Sequence, residues 1–407
     1  MNRSMVKTIF ISFFITSLTT AIILSPEASV EASSHGLKIW WEVVFPSLLP
    51  FFILSELLIG FGIVKFIGIL LEPIMRPVFR VPGVGGFVWA MGMASGNPAG
   101  AKFTARVREE GEISVTEAER LITFTSCANP LFIFGAVAVG FFDNPALGIL
   151  LAVAHYAGNI LVGLTMRFYK SKESTSWKRK KRTFFPPLLT AFRELHLTRI
   201  KNRKPIGKML GDAVLSSVQT LLMIGGFIII FSVFNRLLTV YQINEFFGII
   251  LANFLHIFSL STELSVPIIS GIFEFTLGNQ LVSETNAELL DKAIIASFLL
   301  AFGGLSVQSQ VASILAETDI SFKPFFIGRV LQGIYASILT FFLFNPLYTN
   351  LESFNVKAVP VFLINKPSYW FGEIWIILSK LGPLITITAL LLYILIYGKK
   401  VLFPERN

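Results

Sequence analysis

Two hydrophobic segments of this chain, one in each half, are interrupted by small and polar residues. Residues 94–102 read ASGNPAGAK, and residues 273–280 read FEFTLGNQ. A helix that faces lipid must pair all of its backbone groups internally, so Gly, Pro and Asn within it require a neighbouring protein surface or a polar cavity. Paired interruptions in corresponding halves are typical of transporters, where they indicate the substrate site. The sequence therefore predicts a polar site between two halves of a membrane protein.

The composition agrees with a membrane protein. Apolar residues make up 54% of the 407 residues and charged residues only 14%. So little charge cannot cover the surface of a soluble domain of this size. We expect an all-α polytopic membrane protein, because helices satisfy their own backbone groups in lipid.

The positive charge is concentrated in one segment. Residues 167–208 contain 14 Lys and Arg against 2 Asp and Glu, a net of +12, so the remainder of the +9 chain sums to −3. Basic loops of this kind stay in the cytoplasm and fix the topology of the neighbouring spans. This local excess favours a bilayer as the partner and argues against nucleic acid.

The N-terminus predicts a signal anchor. Arg3 and Lys7 precede an apolar run that ends at Leu24, and a polar, acidic segment follows it. A retained first helix is preferred over a cleaved signal peptide, because the small-residue cleavage site is weak.

Five regions are predicted along the chain. In the second span, Pro46 and Pro50 predict a kink, and charges on both sides of residues 83–102 predict a re-entrant hairpin. We expect both termini in the cytoplasm and a last span over about 381–397, with Lys380 at its outer edge. The regions are an anchor helix and external linker (1–36), a first repeat (37–168), a basic cytoplasmic loop (169–208), a second repeat (209–345), and an external loop with a C-terminal helix (346–407).

The order of spans and interruptions in the first repeat recurs in the second. The leading span of the first repeat runs toward the cytoplasm and that of the second runs away from it. This difference predicts two repeats of inverted topology, each with re-entrant or broken helices.

Four polar interruptions supply the candidate substrate-binding residues. If they meet, the N-termini of half-helices and the side-chain amides would form a cradle for a polar or anionic solute. The alternative is structural, since small residues let helices pack closely and amides bond across them. The candidates are Ser95 and Asn97; Ser126 and Asn129; Glu274, Thr276 and Asn279; and Ser306, Gln308 and Gln310.

Two charged residues and one pair of amides sharpen this hypothesis. Glu274 is flanked by apolar residues, so it is expected to be protonated, paired or in a wet cavity. Lys102 either neutralises an anionic solute at the cytoplasmic mouth or anchors the segment at the interface. Gln308 and Gln310 lie about 200° apart on a regular helix, so both can face a solute only if the helix breaks at Gly303 and Gly304.

No motif indicates a metal, a cofactor or an enzyme. The single cysteine, Cys127, lies in an apolar span and is expected to pack, and the four histidines lack metal-ligand spacing. No nucleophile, base and orienting residue occur at a persuasive spacing. Ser114 and Glu117 predict a helix that begins with a capping box on a solvated face.

Two long strings carry a resemblance that covers nearly the whole chain. SGNPAGAKFTARVREEGEISVTEAERLITFTSCANPLFIFG and FGGLSVQSQVASILAETDI resemble the sporulation integral membrane proteins with paired gate, or nucleoside-recognition, domains. More remotely, the chain is similar to spore maturation proteins and concentrative nucleoside permeases. The resemblance implies a multi-pass protein of the outer forespore membrane that moves dipicolinate, pyridine-2,6-dicarboxylate, out of the mother-cell cytoplasm.

Alternatives remain open at this stage. A dianion would require Lys102 or helix dipoles, and it would require Glu274 to be neutral, paired or outside direct contact. A nucleoside permease could use the same amides for an uncharged solute. A non-transporting scaffold in spore assembly would use the interruptions only for packing, with a second copy or other sporulation membrane proteins as possible partners.

Overall fold

The computed structural model describes residues 3–171, 188–201 and 204–349, which belong to one compact unit, Met1–Phe354. The predicted C-terminal span and Lys380 lie outside the described residues. All regular elements within the described ranges are helices, which confirms an all-α polytopic membrane protein. Among them, five helices are long and apolar enough to cross a membrane, or six if one bent pair counts as a single span.

The first half contains eight α-helices and two π-helical segments. We call the second of these segments the π arm. The α-helices are α1 (Arg3–Leu24), α2 (Pro26–Ile39), α3 (Phe45–Gly60), α4 (Ile63–Phe79), α5 (Val84–Ser95), α6 (Ala99–Glu109), α7 (Val115–Thr125) and α8 (Pro145–Met166), and the π segments are Trp40–Val44 and the π arm, Phe132–Phe141.

The second half begins after the basic loop, part of which is helical. Its elements are α9 (Leu188–Lys201, in the loop), α10 (Ile206–Val240), α11 (Ile243–Ile257), a 3-10 turn (Thr262–Leu264), α12 (Ser265–Phe273), α13 (Phe275–Glu284), α14 (Leu289–Phe302), α15 (Gly304–Ala316), α16 (Phe322–Leu343) and a π-helical segment (Phe344–Thr349).

The segment predicted as an external linker is helical. Pro26 occupies the first turn of α2, where its missing N–H costs no hydrogen bond. The buried side of α2 consists of small residues and packs along α10. A Cβ added to Gly36 would lie 3.1 Å from Cα of Ile229, so only glycine allows this close approach. The polar sequence does not reveal this packing face, because Ser and Ala occur both in loops and between tightly packed helices.

The bend in the second span lies C-terminal to the prolines. Helix α3 continues through Pro50, and the bend of 83° occurs at Phe61 and Gly62, between α3 and α4. Gly62 has a φ of +80°, a conformation that glycine adopts without strain. This bend lies beyond Pro46 and Pro50, so it is separate from the kink predicted at those prolines.

The order of elements repeats between the halves. In the first half α3 and α4 precede two broken helices and α8; in the second, α10 and α11 precede two broken helices and α16. The contacts also repeat, since α6 packs on α15 while the π arm packs on α13. The two repeats and their broken helices are therefore present, and their opposite orientation in the bilayer stays a prediction.

The largest apolar core lies mainly within the first half and extends to α10, α15 and α16. It includes the fully buried rings of Phe52, Phe103, Phe124 and Phe325. The capping box that begins α7 is also present, because Ser114 Oγ accepts from Glu117 N and the Glu117 carboxylate accepts from Ser114 N. The predicted solvated face is wrong, since the charged side chains of α7 are buried in this core. This core supports the broken helices from one side.

Candidate functional site

The first two helix breaks contact each other. Break 1 comprises residues 96–98, between α5 and α6, and break 2 comprises residues 126–129, between α7 and the π arm. Asn129 Nδ2 donates to the carbonyl of Ser95 over 3.2 Å. A Cβ on Gly96 would lie 3.3 Å from Asn129. The predicted residues Ser95 and Asn129 therefore meet.

The other two breaks complete a ring. Break 3 is at Glu274, and break 4 is at Gly303, where both Gly303 and Gly304 have positive φ. The predicted break is present, but Gln308 and Gln310 both follow it within α15, so it does not bring the two amides to one face. A Cβ on Gly303 would lie 3.7 Å from Asn97 Nδ2, and one on Gly304 would lie 3.0 Å from Phe275 N.

Breaks 2 and 3 are joined by two aromatic rings. The rings of Phe132, in the π arm, and Phe275, in α13, have their centroids 5.1 Å apart. Each break therefore lies beside two others, and the four interruptions predicted from the sequence form one cluster.

Two of the four half-helices that follow the breaks are capped by their own side chains. Glu274 Oε2 accepts from Leu277 N over 2.8 Å and caps α13. Asn129 Oδ1 accepts from Phe132 N over 2.8 Å at the start of the π arm. These two half-helices are neighbours, and we call their meeting point the self-capped junction. Glu274 is therefore a buried N-cap whose carboxylate occupies a positive helix end.

The other two half-helices are not capped by a side chain. Pro98 precedes α6 and Gly303 precedes α15, and neither contributes a side-chain hydrogen bond to its helix. The helices α6 and α15 pack on each other, and we call their meeting point the open junction. The first N–H groups of a helix have no partner within it, and the aligned peptide dipoles make this end attractive to anions. At α6 two of these groups already donate to backbone oxygens, Ala99 N to Gly96 O over 2.9 Å and Ala101 N to Pro98 O over 3.0 Å. The anion-site character of the open junction therefore comes mainly from the start of α15, where Gly303 supplies no cap.

Buried polar atoms without a hydrogen-bond partner are concentrated among the predicted residues. Such an atom costs about 1–3 kcal/mol when it is removed from water, so it indicates a missing partner. The predicted residues with atoms of this kind in the described part of the chain are Ser95 (Oγ), Asn97 (Oδ1), Ser126 (Oγ), Asn279 (Oδ1) and Gln308 (both amide atoms).

The remaining amide and hydroxyl candidates differ in their surroundings. Gln310 Nε2 donates to Ser306 Oγ over 3.4 Å within α15, and both side chains are buried. Thr276 is half-buried in the first turn of α13. Asn279 Nδ2 donates back to the Phe275 carbonyl of its own helix over 2.7 Å, which leaves only its oxygen without a partner.

Lys102 lies apart from the ring of breaks and has partners. Its Nζ is 3.3 Å from Glu56 Oε1 of α3, and it donates to Ser216 O and Oγ of α10 over 3.3 and 3.2 Å. It also lies 5.0 Å from the ring centroid of Phe52. Lys102 is thus not a free cation, because the Glu56 carboxylate already pairs with its ammonium group.

Lys102 contributes to the wall of a cavity of about 540 Å³, which we call the vestibule. It lies between α3, α6, α10 and α15. Its charged lining comprises Glu56, Lys102, Arg106, Glu109, Lys204, Asp212 and Glu317.

Arg329 is a central residue that the sequence reasoning missed. Its guanidinium is fully buried on α16. Nη2 donates to Thr123 O over 2.5 Å, and Nη1 donates to Ser126 O and to Ala301 O. Arg329 therefore joins the C-terminal ends of α7 and α14, which precede breaks 2 and 4. A lone arginine within an apolar run was the signal that could have indicated it.

A second missed group holds the backbone of break 2. His155 Nε2 accepts from Ala128 N over 3.0 Å, so α8 supports the interruption directly. Gln332 Nε2 donates to His155 O over 3.2 Å, and its Oε1 accepts from Asn159 Nδ2 over 3.3 Å. These residues link α8 to α16, and their scattered positions gave no sequence pattern.

Outside the spans, one ion pair joins the far ends of the open junction's helices. Arg108 of α6 donates to both carboxylate oxygens of Asp319, which follows α15, over 2.7 and 3.1 Å. This hydrogen bonding lowers the pKa of Asp319 below its ordinary value. Among the described residues, no group of three or more His, Cys, Asp or Glu could hold a metal ion.

Comparison with known proteins agrees with this architecture. A family of gate domains, described as nucleoside recognition, matches residues 41–158, which include breaks 1 and 2. The fold and this match define a gate-domain polytopic membrane protein. The chain is also 58% identical over 406 residues to the sporulation integral membrane protein YlbJ of Bacillus subtilis (strain 168), covering 98% of each chain. The chain therefore belongs to this family of sporulation integral membrane proteins. No solved structure matches it.

Proposed function

We propose that this protein transports a small dicarboxylate, dipicolinate, out of the mother-cell cytoplasm across the outer forespore membrane. The relative's name supports a membrane role in sporulation, and the ring of breaks supports transport. In this proposal the vestibule faces the cytoplasm, because it lies beside the start of α10, which follows the basic loop.

The open junction is the observation that carries the proposal. It presents two helix N-termini that no side chain caps, beside the side-chain amides of Asn97 and Gln308, and Gln308 Nε2 is a buried donor without a partner among the described residues. A flat dianion would accept hydrogen bonds from backbone N–H groups and side-chain amides there, without a buried lysine in direct contact. Asn97 lies beside both N-termini, since it precedes Pro98 at the start of α6 and its Nδ2 approaches Gly303.

The self-capped junction has a different role in this proposal. Glu274 and Asn129 use their oxygens to satisfy the half-helices that follow them. An additional anion at α13 would meet the Glu274 carboxylate, so we place Glu274 outside direct contact with the solute. Alternating access would then rearrange the two repeats around the ring of breaks.

Uptake into proteoliposomes tests the proposal. Purified protein is reconstituted, and saturable uptake of labelled dipicolinate is measured with labelled uridine as the comparator. Asn97→Ala is expected to reduce uptake at least tenfold, because the solute loses a buried hydrogen-bond partner worth about 1.4 kcal/mol. Asn253→Ala is the matched control, since Asn253 is exposed on α11 and the same atoms are removed there.

The alternatives correspond to distinct results. Preference for uridine would replace the proposal with a nucleoside permease, which the description of the gate family favours as the second candidate. Uptake of neither solute by folded protein would contradict transport and leave a scaffold in spore assembly. Equal loss in Asn97→Ala and Asn253→Ala would show that the open junction is not the site.

A further inference from the structure

We infer that the vestibule contains an access site for a carboxylate of the solute. In this site the Glu56 carboxylate pairs with the Lys102 ammonium until a solute carboxylate displaces it. The inference rests on the proposed function and adds a specificity-determining residue, Glu56, to it. No sequence motif indicates a role for Glu56, because it is a single glutamate within an apolar run.

The contacts of Lys102 describe a carboxylate-binding cradle. Its ammonium contacts Glu56 Oε1 at 3.3 Å and both oxygens of Ser216 at 3.2 and 3.3 Å. The Glu56 and Lys102 side chains are only 14% and 12% exposed, so their attraction is weakly screened by water. Ser216 Oγ also donates to Glu56 Oε1 over 3.2 Å. The Glu56 carboxylate thus takes the place that a solute carboxylate would take.

The position of Lys102 connects this cradle to the open junction. Lys102 is on α6, three residues after Ala99, where that helix begins. At 1.5 Å per residue, its Cα is about 5 Å along the helix axis from this start. A dicarboxylate bound at Lys102 would therefore lie within one or two turns of the uncapped N-termini.

The charge of the vestibule explains why Glu56 would control access. Its lining has four carboxylates, Glu56, Glu109, Asp212 and Glu317, against the three cations Lys102, Arg106 and Lys204, a formal net of −1. Besides Glu56, two of these carboxylates have cations beside them, since Lys204 lies 2.8 Å from Asp212 and Arg106 lies 3.7 Å from Glu109. Loss of any one of the four charges makes the lining formally neutral, but only loss of the Glu56 charge also removes the carboxylate that pairs with Lys102.

The test is the concentration dependence of dipicolinate uptake by reconstituted Glu56→Gln. The variant is expected to lower the KM for uptake about threefold to tenfold, because the solute no longer competes with a fixed carboxylate. Glu317→Gln is the matched control, since it removes one carboxylate from the same cavity; Glu317 is exposed. Its KM is expected to stay within about twofold of the wild type.

A second variant keeps the charge in case Glu56→Gln does not fold. Glu56→Asp shortens the side chain by one methylene, which withdraws the carboxylate from Lys102, and it is expected to lower the KM in the same direction. Thermal unfolding in detergent identifies the variants that are folded.

The results separate the inference from the function on which it rests. A lower KM in Glu56→Gln with an unchanged KM in Glu317→Gln supports the access site. An unchanged or higher KM in both folded Glu56 variants would overturn it, as would an equal decrease in Glu317→Gln, which would show only a general effect of charge. Absence of dipicolinate uptake by the wild type would instead overturn the proposed function.

Discussion

The open junction and the self-capped junction arise from equivalent elements but differ in how their helix ends are satisfied. At the self-capped junction, Glu274 and Asn129 supply oxygens to α13 and the π arm. At the open junction, Pro98 and Gly303 occupy the capping positions and supply no side-chain oxygen. The repeat therefore places four half-helices together, and the side chain before each of them determines whether its N–H groups can bind a solute.

This difference also changes the meaning of a polar residue in a membrane span. Glu274 is the most conspicuous polar residue in the sequence of the second half, yet its carboxylate caps a helix. Gln308 has no partner for either amide atom in the described residues. A buried polar group that is fully bonded stabilises the fold, whereas one without a partner costs free energy until a ligand or water supplies it.

The largest effect is expected from Arg329, which serves both junctions. Arg329→Met removes the donors to the ends of α7 and α14, so carbonyls at two breaks lose their partners. Loss of a buried, hydrogen-bonded charged group is expected to lower the free energy of unfolding by about 3–5 kcal/mol. Thermal unfolding in detergent measures this loss. Arg236→Met is the control, because Arg236 is exposed and pairs only at the surface with Glu31.

A stable Arg329→Met that retains uptake would contradict this account, because the ends of α7 and α14 would then be held in another way. A stable variant that loses uptake would instead indicate that Arg329 binds the solute directly.

Two buried glutamines should respond in opposite directions. Gln308→Leu removes two amide atoms without partners, so the free energy of unfolding is expected to rise by about 1 kcal/mol while dipicolinate uptake falls about tenfold. Gln332→Leu breaks bonds to His155 and Asn159 and is expected to lower the free energy of unfolding by about 1–3 kcal/mol. Thermal unfolding and uptake of both variants test the contrast. Destabilisation by Gln308→Leu equal to that by Gln332→Leu would show that Gln308 is an ordinary structural residue.

Much of this arrangement could be predicted from the sequence, because the interruptions are chemically distinct from the spans around them. All four breaks occur where Gly, Pro, Asn or Glu interrupts an apolar run. The helix break expected at Gly303 and Gly304 is present, but it does not turn Gln308 and Gln310 to one face, because both lie within α15. Local sequence could not tell which break contacts which, since that depends on the packing of both repeats.

The residues that support the breaks were harder to predict. His155 and Gln332 lie on α8 and α16 and act on a break elsewhere in the chain. Their roles depend on tertiary contacts without a fixed sequence spacing. The polar sequence of α2 predicts a linker for a similar reason, because a hydropathy pattern does not show its close packing on α10.

Removal of the cap at the self-capped junction should have a moderate effect on stability and a small one on uptake. Glu274→Ala leaves Leu277 N without its acceptor and is expected to lower the free energy of unfolding by about 1–2 kcal/mol. Glu284→Ala is the matched control at the end of the same helix, since Glu284 is exposed. Thermal unfolding measures the cost. If Glu274→Ala abolished uptake without loss of stability, Glu274 would belong to the solute site, and the proposed difference between the junctions would fail.

The smallest effect is expected at the far ends of the open junction's helices, where Arg108 pairs with Asp319. The pKa of Asp319 is lowered by this pairing, so the folded protein favours the carboxylate more than the unfolded chain does. The resulting stabilisation is present above the unfolded pKa, which is about 4, and is lost as the pH falls through the lower folded pKa.

Asp319→Asn should therefore lower the melting temperature slightly at pH 7, and the difference from the wild type should disappear in acid. Because the pair is largely exposed, high salt should reduce the difference at pH 7 as well. A difference that persisted in acid or high salt would mean that Asp319 stabilises the ends of α6 and α15 by hydrogen-bond geometry rather than by charge.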